Sequence, residues 1–185
     1  NLLITAPENL AWILNVRGKD SDYSPLPNCN AIINKKKKIT LIVDKNKISR
    51  KFKLFFGNIL NYINPSNVTE YFKNLDHKES FLIDKFTCSL FYKKEIKKKF
   101  TYLEEIDPIF FLKAKKNDVE INNIIKSHIY DGVALTKFIF WIKNSIHKIK
   151  VTELGAQKKL EQFRKKNKSF IFPSFNTISG SGPNG

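Results

Sequence analysis

Ser80-Phe-Leu-Ile-Asp84, then Ser89 to Lys98, then Phe100-Thr-Tyr-Leu103 read as strand, helix, strand within 24 residues. The first and last are short apolar runs, and the middle one is a longer charged stretch. A strand, a helix and a further strand at this spacing predict a parallel pair with its crossover helix.

The same alternation extends toward the N-terminus. Pro65-Ser66 starts a helix with Val68, Tyr71, Phe72 and Leu75 facing inward, and Ile59 to Ile63 is a short strand before it. Ile48 to Phe56 carries apolar residues at helical spacing. Ala31-Ile-Ile33 and Ile39 to Asp44 form a hairpin, joined by Asn34 and the lysines 35–38. Leu2 to Thr5 is a buried strand, and Pro7-Glu8 opens a helical turn through Leu10 and Trp12. Asn15 to Asp20 breaks that turn, and Tyr23-Ser-Pro-Leu-Pro27 is extended, because a residue before proline is pushed out of the helical region. The class this predicts is α/β, with a mixed sheet covered by helices.

Toward the C-terminus, Asp107 to Lys116 reads as an extended linker. It divides the chain into residues 1–106 and 107–185. Asn117-Asp-Val-Glu120 is a capping box, opening a helix that runs to about Ile146. Ile121, Ile125, His128, Gly132, Leu135, Ile139 and Ile142 recur at steps of three and four along one face. His128 on that stripe reads as a packed histidine rather than a catalytic one. Thr152-Glu153 starts a second amphipathic helix. Phe170 to Ser179 reads as a final strand, running into the glycine-rich Gly180-Ser-Gly-Pro-Asn-Gly185.

That last segment matches G-x-G-x-x-G, but the dinucleotide fingerprint requires a helix opening inside it and an acidic residue further on. Pro183 lies within the turn, and no helix follows. A cofactor site is not predicted. Cys29 and Cys88 have no C-x-x-C spacing, and His77, His128 and His147 form no H-x-x-x-H pair, so neither a zinc site nor a disulfide framework is signalled. No apolar run approaches the roughly 20 residues that span a bilayer.

The formal net charge is +16. It comes almost entirely from lysine in short scattered runs, while the arginines that read phosphates and bases bidentately are Arg17, Arg50 and Arg164. Solvated surface lysine is the reading preferred over a nucleic-acid groove. The chain contains no methionine and begins with Asn1, which predicts a piece of a longer protein.

Three stretches resemble the aminopeptidase P family, Xaa-Pro aminopeptidases of the creatinase or pita-bread fold. One is Glu8 to Asp20 with Tyr23-Ser-Pro25, similar to the family's Trp segment and Asn-x-Arg-Gly-x-Asp turn. The second is Asp107 to Ile121 with His128 to Gly132 and Ala134 to Trp141. The third is Thr152 to Arg164 followed by Ser174-Phe-Asn-Thr-Ile-Ser-Gly-Ser-Gly-Pro-Asn-Gly185.

The resemblance implies that residues 1–106 are a creatinase-like N-terminal-type domain, incomplete at its start. Residues 107–185 would open a pita-bread metallopeptidase domain. It also implies hydrolysis of the bond between an N-terminal residue and a following proline. Two divalent ions, manganese or zinc, would be held by two Asp, one His and two Glu that lie beyond this chain. The chain alone is therefore expected to bind no metal and to be inactive. Phe175, Ser179, Gly180, Gly182 and Gly185 would wall the substrate pocket, although an internally paired turn is the stronger reading of that segment. Asn15, Arg17 and Asp20 would form an interdomain or substrate-side turn. The implied partners are proline-containing peptides and a second copy of the enzyme, with neither nucleic acid nor membrane, in the cytoplasm. A non-catalytic relative used as a binding scaffold would share all these residues, and a basic nucleic-acid-binding protein is a weaker alternative.

Overall fold

The computed structural model describes residues 1–185, which form two compact units. The first comprises residues 1–21 and 25–115, and the second residues 22–24 and 116–185.

In the first unit the strands are β1 (Leu2–Ile4), β2 (Asn30–Ile33), β3 (Ile39–Ile42), β4 (Leu60–Ile63), β5 (Ser80–Asp84) and β6 (Thr101–Glu105). They form a six-stranded sheet in the order β4-β3-β2-β1-β5-β6. β1–β2 and β2–β3 are antiparallel, whereas β3–β4, β1–β5 and β5–β6 are parallel. The sheet is therefore mixed, as its hairpin and crossover signals predict. The helices are α1 (Pro7–Ile13), α2 (Arg50–Phe56), α3 (Val68–Asn74), α4 (Leu90–Lys97) and α5 (Pro108–Ala114). Ser49 and Ser89 cap α2 and α4 by accepting from Phe52 N–H and Tyr92 N–H, satisfying amides that have no partner within the helix.

The two-residue period of the strands sends alternate side chains to opposite faces. Leu3, Ile32 and Ile42 pack on one face with Val68 and Phe72 of α3, Tyr92 and Ile96 of α4, and Phe100. Ile4, Ala31 and Leu41 pack on the other with Leu10 of α1 and Ile109 of α5, and Phe52 and Phe56 of α2 flank that cluster. Leu3, Ile4, Leu10 and Ile96 are fully buried. Burying one such side chain stabilises by about 1.5–3 kcal/mol, so this unit carries a core on both faces.

The expected extended linker at Asp107–Lys116 is instead mostly helical. Asp107 caps α5 by accepting from Ile109 N–H at 2.9 Å, and Pro108 occupies the first turn, where its missing N–H costs nothing. Asn9 Nδ2 of α1 donates to Asp107 Oδ2 at 2.8 Å in a buried contact. The compact division consequently falls at 115/116.

The second unit contains α6 (Asp118–Ser145) and α7 (Glu153–Arg164). The capping box forms as expected, with Glu120 N–H donating to Asn117 Oδ1 and Asn117 N–H to Glu120 Oε2, both at 2.9 Å. Thr152 caps α7 by accepting from Gly155 N–H at 3.0 Å. Arg164 joins the two helices through a two-pronged contact with Asp131, at 2.6 and 3.2 Å. The predicted strand at 170–179 does not form. These residues are irregular and end in a single 3-10 turn at Gly182–Asn184. A strand needs a neighbour for its N–H and C=O groups, and none of the six strands pairs with this segment.

The apolar stripe of α6 also faces water. Ile121, Ile125, Leu135 and Ile139 are exposed, His128 is exposed rather than packed, and Ala134 is the helix's buried residue.

Candidate functional site

The turn predicted from Asn15, Arg17 and Asp20 is built within the first unit. Asn15 adopts φ 50°, ending α1, and Gly18 N–H donates to Pro25 O at 3.0 Å. A Cβ on Gly18 would lie 2.5 Å from the Pro27 backbone, so this close approach requires glycine. Arg17 Nη1 donates to Val16 O at 2.9 Å and Ala11 O at 3.3 Å, which fixes the guanidinium against the end of α1.

Asp20 accepts from Lys47 Nζ at 2.7 Å and from Asn28 N–H at 2.9 Å. The Lys47 contact, helped by Asn28, holds the Asp20 carboxyl below its usual range, and the same contact raises Lys47. The turn rims a cavity of about 380 Å³ with apolar walls from Leu14, Val16, Leu41, Val43, Ile48 and Phe52. Cys29 also lines it, and burial, followed by the Asp20 charge, pushes its thiol up to about 11. Such a thiol stays protonated and inert at neutral pH. Both cysteines are free.

The C-terminal turn is built within the second unit, around Glu153. Glu153 Oε1 accepts from Ser181 N–H at 2.7 Å and from Asn184 Nδ2 at 3.1 Å. Its carbonyl accepts from Ser179 Oγ at 3.3 Å. A Cβ on Gly180 would lie 2.5 Å from Asn184 O, and Gly182 has φ 59°, so each needs glycine for a different reason. Gly185 closes the turn by donating to Gly182 O at 3.1 Å. Phe175 is 65% exposed and makes no part of this pairing. The turn is thus internally paired, and Glu153 is the residue sequence reasoning missed. The only trace of it in the sequence was its place in the first turn of a capped helix.

The most buried charges lie elsewhere. Asp84, at the end of β5, accepts from Thr87 N–H at 2.7 Å, Phe86 N–H at 2.9 Å, Thr87 Oγ1 at 3.0 Å and Asp107 N–H at 2.7 Å. Burial works against the charged form, but the donors from Asp107, Thr87 and Phe86 outweigh it and hold the carboxyl below its usual range. Both carboxylate oxygens are engaged, Oδ1 in holding the β5–α4 turn and Oδ2 in holding the start of α5, so Asp84 reads as structural.

No group of three or more His, Cys, Asp or Glu side chains is placed to hold a metal ion. The donor set of a two-metal centre is not brought together by these side chains. No helix is long and apolar enough to cross a membrane.

A family model described as the creatinase/prolidase N-terminal domain matches residues 1–120. The Xaa-Pro aminopeptidase ApepP of Drosophila melanogaster is 36% identical over 189 residues, covering 100% of this chain and 30% of that protein. Xaa-Pro aminopeptidase 1 of Dictyostelium discoideum is 32% identical over 190 residues, with the same coverage of 100% and 30%. The crystal structure of X-prolyl aminopeptidase from Caenorhabditis elegans, described as a cytosolic enzyme with a di-nuclear active site, superposes with a TM-score of 0.83. That match has 21% identity and covers 96% of this chain and 30% of the other, so it speaks to the fold. The chain therefore spans about 30% of the length of these relatives. With residues 1–120 matched and the mixed sheet in place, the chain belongs to the creatinase/prolidase N-terminal domain family.

Proposed function

We propose that this chain is part of a metal-dependent Xaa-Pro aminopeptidase, which hydrolyses the bond between an N-terminal residue and a following proline. The observation that carries this is similarity at 36% and 32% identity across 100% of the chain to two proteins named for that activity. In this reading residues 116–185, the bulk of the second unit, begin the pita-bread catalytic domain. The metal ligands then lie in the part of such an enzyme that corresponds to the relatives' length outside the 30% that this chain spans.

The chain's contribution is then positional. Glu153 gathers the amide and side-chain donors of Ser181 and Asn184 and so fixes the glycine turn. A turn without side chains at Gly180, Gly182 and Gly185 leaves backbone open to a peptide, and Phe175, five residues before Gly180, is an exposed apolar side chain. The Arg17–Asp20 turn is the second candidate contact. The ions would be manganese or zinc, and the complete enzyme a cytoplasmic homodimer.

The test uses the whole polypeptide that carries this sequence, assayed on Arg-Pro-Pro and Arg-Ala-Ala with manganese or zinc. Release of arginine from the proline peptide alone is expected. No release with either metal would overturn the reading and favour a non-catalytic scaffold. The 185-residue chain should show no turnover with either metal, and cleavage above blank would place the active site inside it.

A further inference from the structure

We propose that the first unit carries a binding site for a small organic phosphoanion, in the cavity outside the carboxyl ends of β5 and β6. This goes beyond the peptidase reading and does not depend on it.

The cavity holds about 370 Å³, within the range of about 300–1,000 Å³ typical of small-molecule sites. It lies past the carboxyl ends of two neighbouring parallel strands, β5 and β6. Four lysines line it: Lys85 from the turn after β5, and Lys93, Lys94 and Lys97 from α4. Against them stand the carboxylates of Asp84 and Glu104. Asp84 accepts three donors at Oδ1 and Asp107 N–H at Oδ2, which fixes the carboxylate in place under the cavity, and it makes no ion pair with a lysine.

Glu104 is different. Its Oε1 accepts from Lys93 Nζ at 2.6 Å, with both side chains partly exposed. That carboxylate shows an anion already held by one of the four lysines, and no ion pair is formed by Lys85, Lys94 or Lys97. Four lysines against two carboxylates leave the cavity lining an excess of two positive charges, which suits a dianionic phosphate better than a single carboxylate. The walls are not purely polar. Leu90 and Cys88 contribute apolar surface, so the fitting ligand has an apolar body beside its phosphate. The turn under the cavity is held by Asp84 before any ligand arrives, so little ordering is needed on binding.

The experiment titrates the 185-residue chain with phenyl phosphate, orthophosphate and benzyl alcohol, using calorimetry and 15N chemical-shift mapping. Saturable binding of phenyl phosphate is expected, tighter than orthophosphate, with shifts confined to residues 83–97 and 104. Lys94→Gln with Lys97→Gln should weaken it by about tenfold through loss of two charge-assisted contacts. Glu104→Gln should tighten it, because the resident carboxylate no longer competes for Lys93. Lys36→Gln with Lys37→Gln, on the β2–β3 turn, should leave it unchanged. Absence of binding would overturn the proposal, as would shifts spread over all lysines, weakening by the hairpin variant equal to that of the α4 variant, or weaker binding on Glu104→Gln.

Discussion

The two units handle their apolar residues in opposite ways. In the first, the inward faces of β1–β6 and of α1, α3, α4 and α5 meet across both sides of a sheet, and Leu3, Ile4, Leu10, Ile32, Ile42 and Ile96 are almost wholly hidden. In the second, 28 residues of α6 bury little besides Ala134, and α7 buries none fully. Ile125, Ile129, Val133 and Phe140 stay exposed, and Phe140, Trp141 and Phe163 line an open groove of about 550 Å³. A contiguous exposed apolar surface of this kind marks a face made to be covered. The difference teaches that helical periodicity reports where a residue is suited to pack, not whether its packing partner is present.

The comparison can be broken most directly by deleting apolar bulk in each unit. Phe72→Ala removes a ring that packs edge-on against Phe81 at 5.6 Å and lies 6.2 Å from Phe100. It should cost about 3–5 kcal/mol in a urea melt of the first unit. A loss below about 1 kcal/mol would mean that this core is looser than its burial indicates.

Gly18→Ala comes next, because the new Cβ would meet the Pro27 backbone at 2.5 Å and backbone must move. A loss of about 1–3 kcal/mol is expected by the same measurement, with unchanged stability the contrary result. Asn117→Ala removes the accepting half of the capping box, and helix content of α6 should fall with a loss of about 1 kcal/mol. Because the second unit has little core to compensate, this loss should appear in α6 without lowering the melt of the first unit.

Acid should separate the units as well. Asp84 has a folded pKa held below its unfolded value, so its contribution is fully present above pH of about 4 and is lost as pH falls through the folded value. The first unit should lose stability on acidification below that pH, and Asp84→Asn should reduce this dependence, leaving the part that Asp20, also held low, contributes. A wild-type slope retained in the variant would assign the effect to another group. The smallest effect is expected from Ile125→Ala on the exposed face of α6, within about 0.5 kcal/mol. A larger loss would show that this face is covered in solution.

Much of the fold is legible in the sequence. Ser80–Asp84 as a strand, Ser89 as the start of a helix and Asn117–Glu120 as a capping box were all read correctly, because each depends on local chemistry spanning a few residues. Asp107–Lys116 was misread. Its helix α5 is short, and its buried contact to Asn9 lies 98 residues away in sequence, which no local pattern reveals. The candidate turns were identified as turns, but their anchors were not. Lys47 lies 27 residues from Asp20, and Glu153 lies 28 residues from Ser181.

By itself, then, the sequence determined the order of strands and helices from β1 to β6, the capping box of α6 and the two glycine turns, since these follow from side-chain period, proline geometry and capping chemistry within single segments. Only the tertiary structure decided which apolar stripes are buried, that Asp107 begins a helix packed on α1, and that Phe170–Ser179 forms no strand. Those outcomes depend on a partner surface, and a strand or an amphipathic face is completed by residues remote in sequence.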